Sequence, residues 1–500
     1  MNDRRAQAWK CQVCGYIHQA AEAPEWCPVC GAERILFVEA AAVAATAKDK
    51  GARVWRCLAC GTLHEGDHPP ENCPVCGVPA ETFESSERAE SACCAGSARR
   101  IVILGASIAG ICAAEAAREV SPNAPILVLS KEKHLPYYRL NLTRYLAGEV
   151  TREGLLLHPA SWYAERGIEL VLDAEVTAIQ PERGQVALRD GREFPYDSLV
   201  LAIGAHPFIP PIPGATREGV FSVRTLDDAD ALLGALRPDL GCVCIGGGLL
   251  GLETAGALAR RGVRVTVVEG FPWLLPRQLS QRAAQLVERA LESLQISVRL
   301  NARVKEIAGD DRVREVLLED GTRLPADLAV VTAGVRSNSY LARLAQLKVK
   351  QGVLVDDFLA TSDSRIFAAG DVAEHGGVVY GIWAPAQYQG KIAGMNATGM
   401  RSAFGGIPSS NTIKVLGIDL FSIGIFEPGD GSFLVVEEGQ DEGYLRFVFH
   451  DNRLVGGILI GHEHHRLAPS LKRAVEEKSD FSGLLKGRPD ARAVAAHIAR

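Results

Sequence analysis

Eight cysteines in two near-copies of one pattern carry the first recognisable chemistry in this chain of 500 residues. Cys11, Cys14, Cys27 and Cys30 are spaced C-x2-C-x12-C-x2-C, and Cys57, Cys60, Cys73 and Cys76 repeat that spacing 46 residues later. Two tight C-x2-C turns bring four thiolates around one tetrahedral ion. Spacing alone suits iron and zinc equally. With zinc, each module is a structural knob or a docking surface; with iron, it carries one electron. Glycine follows Cys14, Cys30, Cys60 and Cys76. That lets backbone amides turn toward sulfur and tune a potential, which favours iron.

A second kind of chemistry lies in two glycine turns. Gly105-Ala-Ser107-Ile-Ala-Gly110 follows the apolar run R-I-V-I-L and opens an Ala-rich helix. That context suits a pyrophosphate held on a helix N-terminus. Ser107 stands where a middle glycine is usual. The next strand, P-I-L-V-L-S-K-E, ends near Glu132, a candidate for ribose hydroxyls. The second turn, Gly246-Gly-Gly248-Leu-Leu-Gly251, is followed by V-R-V-T-V-V-E, which ends at Glu269, 23 residues after Gly246. A carboxylate there binds a ribose 2′-hydroxyl and repels a 2′-phosphate. Gly270 and Phe271 follow with no adjacent cation, so NADH is expected over NADPH.

The elements around these motifs alternate strand and helix. D-S-L-V-L-A-I-G ends in Gly204, and A-D-L-A-V-V-T-A-G ends in Gly334. Continuous apolar strands of this kind belong to parallel sheets buried on both faces. The last 95 or so residues change texture. K-V-L-G-I-D-L-F-S-I-G and G-Y-L-R-F-V-F-H read as antiparallel strands, and L-A-P-S-L-K-R-A-V-E-E as a helix. The expected fold class is therefore α/β: two nested doubly wound dinucleotide-binding domains, a C-terminal α+β domain and two small metal-binding modules. The boundaries read as module 1 at 1–38, a linker at 39–51, module 2 at 52–84 and a second linker at 85–98. A dinucleotide-binding domain follows at 99–220 and 346–404, with a second at 221–345 and the C-terminal domain at 405–500. A linker of this length spans roughly 20 Å on average.

Composition bounds the partners. Hydrophobic residues make up 47% and charged residues 23%, with a formal net charge of −6. Nothing in that balance points to nucleic acid or an anionic membrane. No apolar run is long enough for a membrane span, and the first ten residues lack the apolar core of a secretory signal, so a cytoplasmic protein is expected. Five cysteines lie outside the clusters: Cys93, Cys94, Cys112, Cys242 and Cys244. Cys112 reads as a core residue, and Cys93 and Cys94 receive no role. The run His462 to His465 reads as a solvated turn.

The nesting of the two glycine turns resembles the flavoprotein disulfide reductase plan. I-F-A-A-Gly370-Asp371 resembles the strand whose acid caps the flavin ribityl chain in that family. T-A-Gly334-V-R-S-N resembles its T-x-G-x-x-P-N signature, with Ser337 in place of proline. Disulfide reductases carry C-x4-C in the first helix, and related oxidases and peroxidases carry one cysteine about forty residues after the first turn. Neither is present here. The segment S-K-E-K-H-L-P-Y-Y-R-L-N-L-T-R-Y-L-A-G and the later K-V-L-G-I-D-L-F-S-I-G resemble NADH:rubredoxin oxidoreductases and the FAD/NAD part of assimilatory nitrite reductases. The cysteine modules resemble the rubredoxin-like domain of rubrerythrins, sharing Trp9 and Trp55 before the first cysteine and Phe37 and Phe83 after the last.

This resemblance implies FAD, NADH and two Fe(Cys)4 sites as cofactors, zinc remaining open. It places Arg139 at the flavin pyrophosphate and Glu253 near the nicotinamide. Arg144 stands where ferredoxin reductases carry a lysine paired with that glutamate. The implied reaction runs from NADH through FAD to the iron sites and on to an external acceptor, with rubrerythrin or flavodiiron protein as candidates. Zinc-bound docking modules and an electron-input component of a larger reductase are the alternatives, and a homodimer is left open.

Overall fold

The computed structural model describes residues 99–406 (except 238), 410–440, and 443–499 (except 488). Nearer the N-terminus it describes six short strands and the single residues Glu22, Arg34, His68 and Pro69. The chain divides into two compact units. One comprises Met1–Leu140, Leu156–Ala205 and Ser337–Ile407; the other comprises Asn141–Leu155, His206–Arg336 and Pro408–Arg500.

The first unit centres on a five-stranded parallel sheet. Its spatial order is Ile366–Ala368, Ser198–Leu201, Ile101–Leu104, Ile126–Leu129 and Ile168–Val171. The middle three strands are buried along their full length, as their unbroken apolar sequence requires. Helices Ile108–Val120 and Trp383–Ala397 contribute Ile111, Ala113, Ile392 and Ala393 to a core shared with Ile101 and Ile103. On the other face, Val102, Leu104, Leu199 and Leu201 join a second core. That core includes residues of a small antiparallel sheet, Val176–Gln180, Gln185–Leu188 and Glu193–Pro195.

The second unit repeats the plan. Its parallel sheet runs Val220–Phe221, Leu328–Val331, Gly241–Ile245, Arg264–Val268 and Ser297–Arg299. The register sets Cys244 level with Val267 and Val330. A three-stranded antiparallel sheet again follows, Val304–Ala308, Glu315–Leu318 and Arg323–Pro325. The C-terminal part is a five-stranded antiparallel sheet ordered Ser410–Val415, Ile418–Gly424, Arg453–Ile460, Gly443–His450 and Phe433–Gln440. One face packs Phe421, Phe447 and Phe449 against Leu471 and Val494 of the helices Ala468–Glu476 and Ala491–Ile498. The fold class matches the sequence expectation. The run His462–His465 differs: it forms a single helical turn after Gly461.

The N-terminal strands form two three-stranded antiparallel sheets of identical order. The first is Ile17–Gln19, Ala8–Cys11, Phe37–Ala40; the second is Leu63–Glu65, Val54–Cys57, Phe83–Ser86. Cys11 pairs with Phe37 and Cys57 with Phe83. Cys14, Cys27, Cys30, Cys60, Cys73 and Cys76 lie outside the described residues, as do Cys93 and Cys94. Among the described residues, no helix is long and apolar enough to cross a membrane.

Candidate functional site

Both glycine turns sit where a central parallel strand hands over to a helix. Gly105 follows Ile101–Leu104 with φ +100°, and Gly246 follows Gly241–Ile245 with φ +118°. A side chain is strained at either position. A Cβ on Gly110 would lie 1.8 Å from the Gly105 carbonyl oxygen, and one on Gly251 would lie 2.0 Å from that of Gly246. The helix can approach its strand this closely only with glycine there. Ser107 and Gly248 occupy equivalent N-cap positions of the helices Ile108–Val120 and Leu249–Arg260, both extended.

In the first unit, Glu132 lies three residues past its strand. Arg139 Nη2 donates to its Oε1, and the Tyr137 hydroxyl donates to its Oε2 at 2.6 Å. The Arg139 guanidinium also lies 5.0 Å from the Tyr137 ring centre. Burial works to lower the Arg139 pKa, but Tyr137, Glu132 and Asp371 outweigh it and hold the pKa above its ordinary value. Glu132, Arg139 and Asp371 are thus electrostatically linked. Gly370 and Asp371 form a single 3-10 turn after Ile366–Ala368. The Gly370 amide donates to Gln389 Oε1 at 2.8 Å. Ser337, in place of the usual proline, donates its hydroxyl to the Val372 carbonyl at 3.2 Å. The Asn338 amide side chain donates to the Ile203 carbonyl at 2.6 Å, beside Gly204 with its φ of +64°.

In the second unit, Glu269 is buried and held by backbone. Its Oε2 accepts from Gly247 N at 2.6 Å and its Oε1 from Phe271 N at 2.9 Å. Gly334 follows Leu328–Val331, and its carbonyl accepts from Phe208 N at 2.8 Å. Arg303 lies beside the residue that follows Glu269. Arg303 returns after the strand Ser297–Arg299, and its Cγ lies 3.9 Å from where a Cβ on Gly270 would stand.

Glu253 is the fifth residue of the helix Leu249–Arg260, just past its first turn, and its Oε2 accepts from the Thr143 hydroxyl at 3.0 Å. Burial pushes its carboxyl up to about 7; Glu149 adds to the rise, while Thr143 and Arg144 oppose it. Arg144 ion-pairs with Glu149 at 3.1 Å, and Arg260 takes the other Glu149 oxygen at 2.6 Å. Arg144 therefore reaches Glu253 as a nearby charge, with Glu149 between their influences. Thr143, Tyr137, Gln389 and Arg303 were not singled out from sequence. Thr143 and Tyr137 at least flank residues that were.

The free cysteines of this region, Cys112, Cys242 and Cys244, are all buried. Burial pushes the Cys112 thiol far up, which leaves it unreactive.

Comparison with known proteins places this geometry. Residues 99–390 match the family model of pyridine nucleotide-disulphide oxidoreductases. Residues 9–38 and 55–84 match the rubredoxin-like domain of rubrerythrin, and residues 409–479 match the rubredoxin NAD+ reductase C-terminal domain. The chain is 35% identical over 366 residues to a nitrite reductase [NAD(P)H] of Bacillus subtilis, covering 73% of this chain and 46% of that protein. It thus spans about half the length of that relative. It is 37% identical over 275 residues to rubredoxin-NAD(+) reductase of Pseudomonas putida, covering 55% of this chain and 71% of that one. The crystal structure of NADH:rubredoxin oxidoreductase from Clostridium acetobutylicum superposes with a TM-score of 0.69 at 28% identity, covering 80% of this chain and 99% of that one. The chain belongs to the pyridine nucleotide-disulphide oxidoreductase family, with two segments that match the rubredoxin-like domain of rubrerythrin and one that matches the rubredoxin NAD+ reductase C-terminal domain.

Proposed function

We propose that the chain oxidises NADH on FAD and sends the electrons singly to iron held by Cys11, Cys14, Cys27 and Cys30 and by Cys57, Cys60, Cys73 and Cys76. From there they pass to an external redox protein, with rubrerythrin or a flavodiiron protein as candidates. One observation carries the reading. Two rubredoxin-like segments precede a reductase in which every described free cysteine is buried, so a thiol relay among those cysteines is not available.

The residues suit the two nucleotides. Gly105, Ser107 and Gly110 would take the FAD pyrophosphate with Arg139. Gly204, Glu132, Gly370 and Asp371 would border its ribose and ribityl parts. Gln389 supports the fit: its Oε1 is used by Gly370, while its buried Nε2 has no partner among the described residues. That is a donor left for a ligand. The buried Trp383 Nε1 is in the same position. Gly246, Gly248, Gly251, Glu269 and Gly334 would hold NADH. Bound FAD supplies the conversion of one hydride into two single electrons, and thiolate-held iron would carry them one at a time. Glu253, fixed by Thr143, would orient the nicotinamide and exchange a proton near pH 7 at its carboxyl, with Arg144 tuning it. The domain boundaries read from the sequence belong to the same proposal.

The test is metal analysis of the purified chain and an anaerobic visible spectrum on adding NADH. Iron near two per chain, with charge-transfer bands that bleach alongside the flavin, is the expected result. Zinc in both modules overturns the relay and leaves them as docking domains. Iron that stays oxidised while the flavin bleaches favours electron input to a larger reductase, the reading supported by similarity to the nitrite reductases.

A further inference from the structure

Two residues that their own local structure disfavours meet in the second unit. Leu416 and Gly417 form the two-residue turn between the strands Ser410–Val415 and Ile418–Gly424, where Val415 pairs with Ile418. Both have positive φ, +52° and +84°. A hairpin turn of this sign takes asparagine, aspartate or glycine first, and a leucine there is strained. Gly256 lies inside the helix Leu249–Arg260, where only proline is a poorer helix former than glycine. A Cβ on Gly256 would stand 2.4 Å from Leu416 Cδ2. The strained leucine therefore fills a hollow that the unfavourable glycine leaves, and each accounts for the other. The hollow lies on the face that carries Glu253. Glu253, Gly256 and Arg260 follow at spacings of three and four and share one side of the helix. Glu253 takes the Thr143 hydroxyl at 3.0 Å, and Arg260 takes Glu149 at 2.6 Å. Leu416 meets this face between the two polar contacts, at a residue about 4.5 Å along the axis from Glu253.

We propose that Leu416 is a positioning residue for the nicotinamide site, the point at which the C-terminal sheet fixes the helix bearing Glu253. This rests on reading Glu253 as the carboxyl that faces the nicotinamide. An apolar tip set against helix backbone holds the helix at one depth and keeps water from the neighbouring turn. Glu253 is thereby kept dry as well as in register with Thr143. Burial is the largest cause of its raised carboxyl; Glu149 acts in the same direction, and the Thr143 hydroxyl and Arg144 oppose it. Those three groups all belong to the segment Asn141–Leu155, so what Leu416 contributes is the exclusion of water alone. The run K-V-L-G-I-D-L-F-S-I-G thus acts on the site through its turn, without supplying a polar group to it.

The experiment uses the full chain loaded with FAD. Leu416→Asn removes the apolar tip but suits the turn, so the hairpin is retained. Gly256→Ala displaces the tip from the other side while improving the helix's own propensity. Leu416→Met refills the hollow. The Glu253 titration is read twice. One reading is the pH dependence of the stability difference between each chain and the same chain carrying Glu253→Gln. The other is the pH dependence of flavin reduction by NADH. Admitting water to a buried carboxyl lowers its pKa, so in Leu416→Asn and Gly256→Ala the midpoint should fall by about one pH unit in both readings. Leu416→Met should stay at the parent midpoint. A parent midpoint in Leu416→Asn overturns the proposal, as does a shift in Leu416→Met equal to that in Leu416→Asn. If the midpoint moves in the stability reading while the parent's rate shows no Glu253 titration at all, Leu416 does keep Glu253 dry, and it is the placement of Glu253 at the nicotinamide that falls.

Discussion

At the first glycine turn the acid after the second strand is tied by side chains. Glu132 takes Arg139 on one oxygen and Tyr137 on the other. At the second turn the equivalent acid, Glu269, is tied by the backbone amides of Gly247 and Phe271. A guanidinium cancels the charge of a carboxylate; two amide dipoles orient it and leave the charge in place. Strand, turn and helix are otherwise built alike, so the difference lies in how each unit spends its acid. A neutralised, side-chain-locked cluster linked to Asp371 suits a cofactor that stays. An oriented but uncancelled carboxylate suits a substrate that comes and goes, and it works against any ligand bearing a 2′-phosphate.

Arg139→Ala should give the largest effect, loss of the cofactor together with stability, because it removes the guanidinium partner of the first kind of acid. Removing one partner of a buried ion pair costs about 3–5 kcal/mol. Here the two side chains are 20% and 27% exposed, so about 2 kcal/mol is expected. Loss of FAD on gel filtration should accompany the lower melting temperature. Arg139→Lys should recover part of both. A variant that keeps its flavin and its stability would mean that Glu132 and Glu269 are held in equivalent ways after all.

The two turns themselves were legible because their signals are local: an apolar strand, a glycine, an Ala-rich helix and an acid at fixed spacing. The partners that distinguish them were not. Thr143 and Glu253 are 110 residues apart, and Arg303 reaches Gly270 only after a helix and a strand intervene. Such meetings are made by the crossover connections of the sheet, which a single sequence does not specify pair by pair. Ser337 was visible as a departure from a signature. Its bond to the Val372 carbonyl, which explains how serine serves there, needed the fold. The small antiparallel sheets also escaped notice, although Gln185–Leu188 alternates partly buried and buried positions in the period of two that marks a half-covered strand.

Glu253 sharpens the comparison through pH. Its ordinary value is 4.5, and burial in the second unit lifts it to about 7. Below the ordinary value the carboxyl is neutral in both the folded and unfolded chain, and nothing is lost. As pH rises from there to about 7, the unfolded chain releases a proton that the folded one keeps, so stability falls. Above about 7 the full cost of a buried charge, about 3 kcal/mol, is present. The stability that Glu253→Gln gains over the parent should therefore grow from near zero at pH 4.5 to about 3 kcal/mol at pH 8 in denaturant titrations. The rate of flavin reduction by NADH should lose its inflection near pH 7. A stability difference that is flat with pH would show that the Glu253 carboxyl titrates like an exposed one.

The smallest effect tests how alike the two turns are. Ser107 and Gly248 are the N-caps of corresponding helices, at φ −83°, ψ −175° and φ −79°, ψ 175°. Neither angle requires glycine, and a Cβ on Gly248 would meet nothing within 4 Å. The Ser107 side chain makes no capping hydrogen bond, so it lacks the interaction that makes serine valuable at an N-cap. Exchanging the two residues, Ser107→Gly and Gly248→Ser, should then shift stability by less than about 0.5 kcal/mol each, since glycine and serine differ by only a few tenths at this position. Ligand binding should respond differently. A hydroxymethyl group on Gly248 projects into the space where the backbone must approach a pyrophosphate, so KM for NADH should rise in Gly248→Ser while the melting temperature holds. A large loss of stability in either variant would show that the matching backbone angles conceal different packing. If stability and KM both stay unchanged in Gly248→Ser, the pyrophosphate does not lie against that amide, and the likeness of the two turns is one of fold alone.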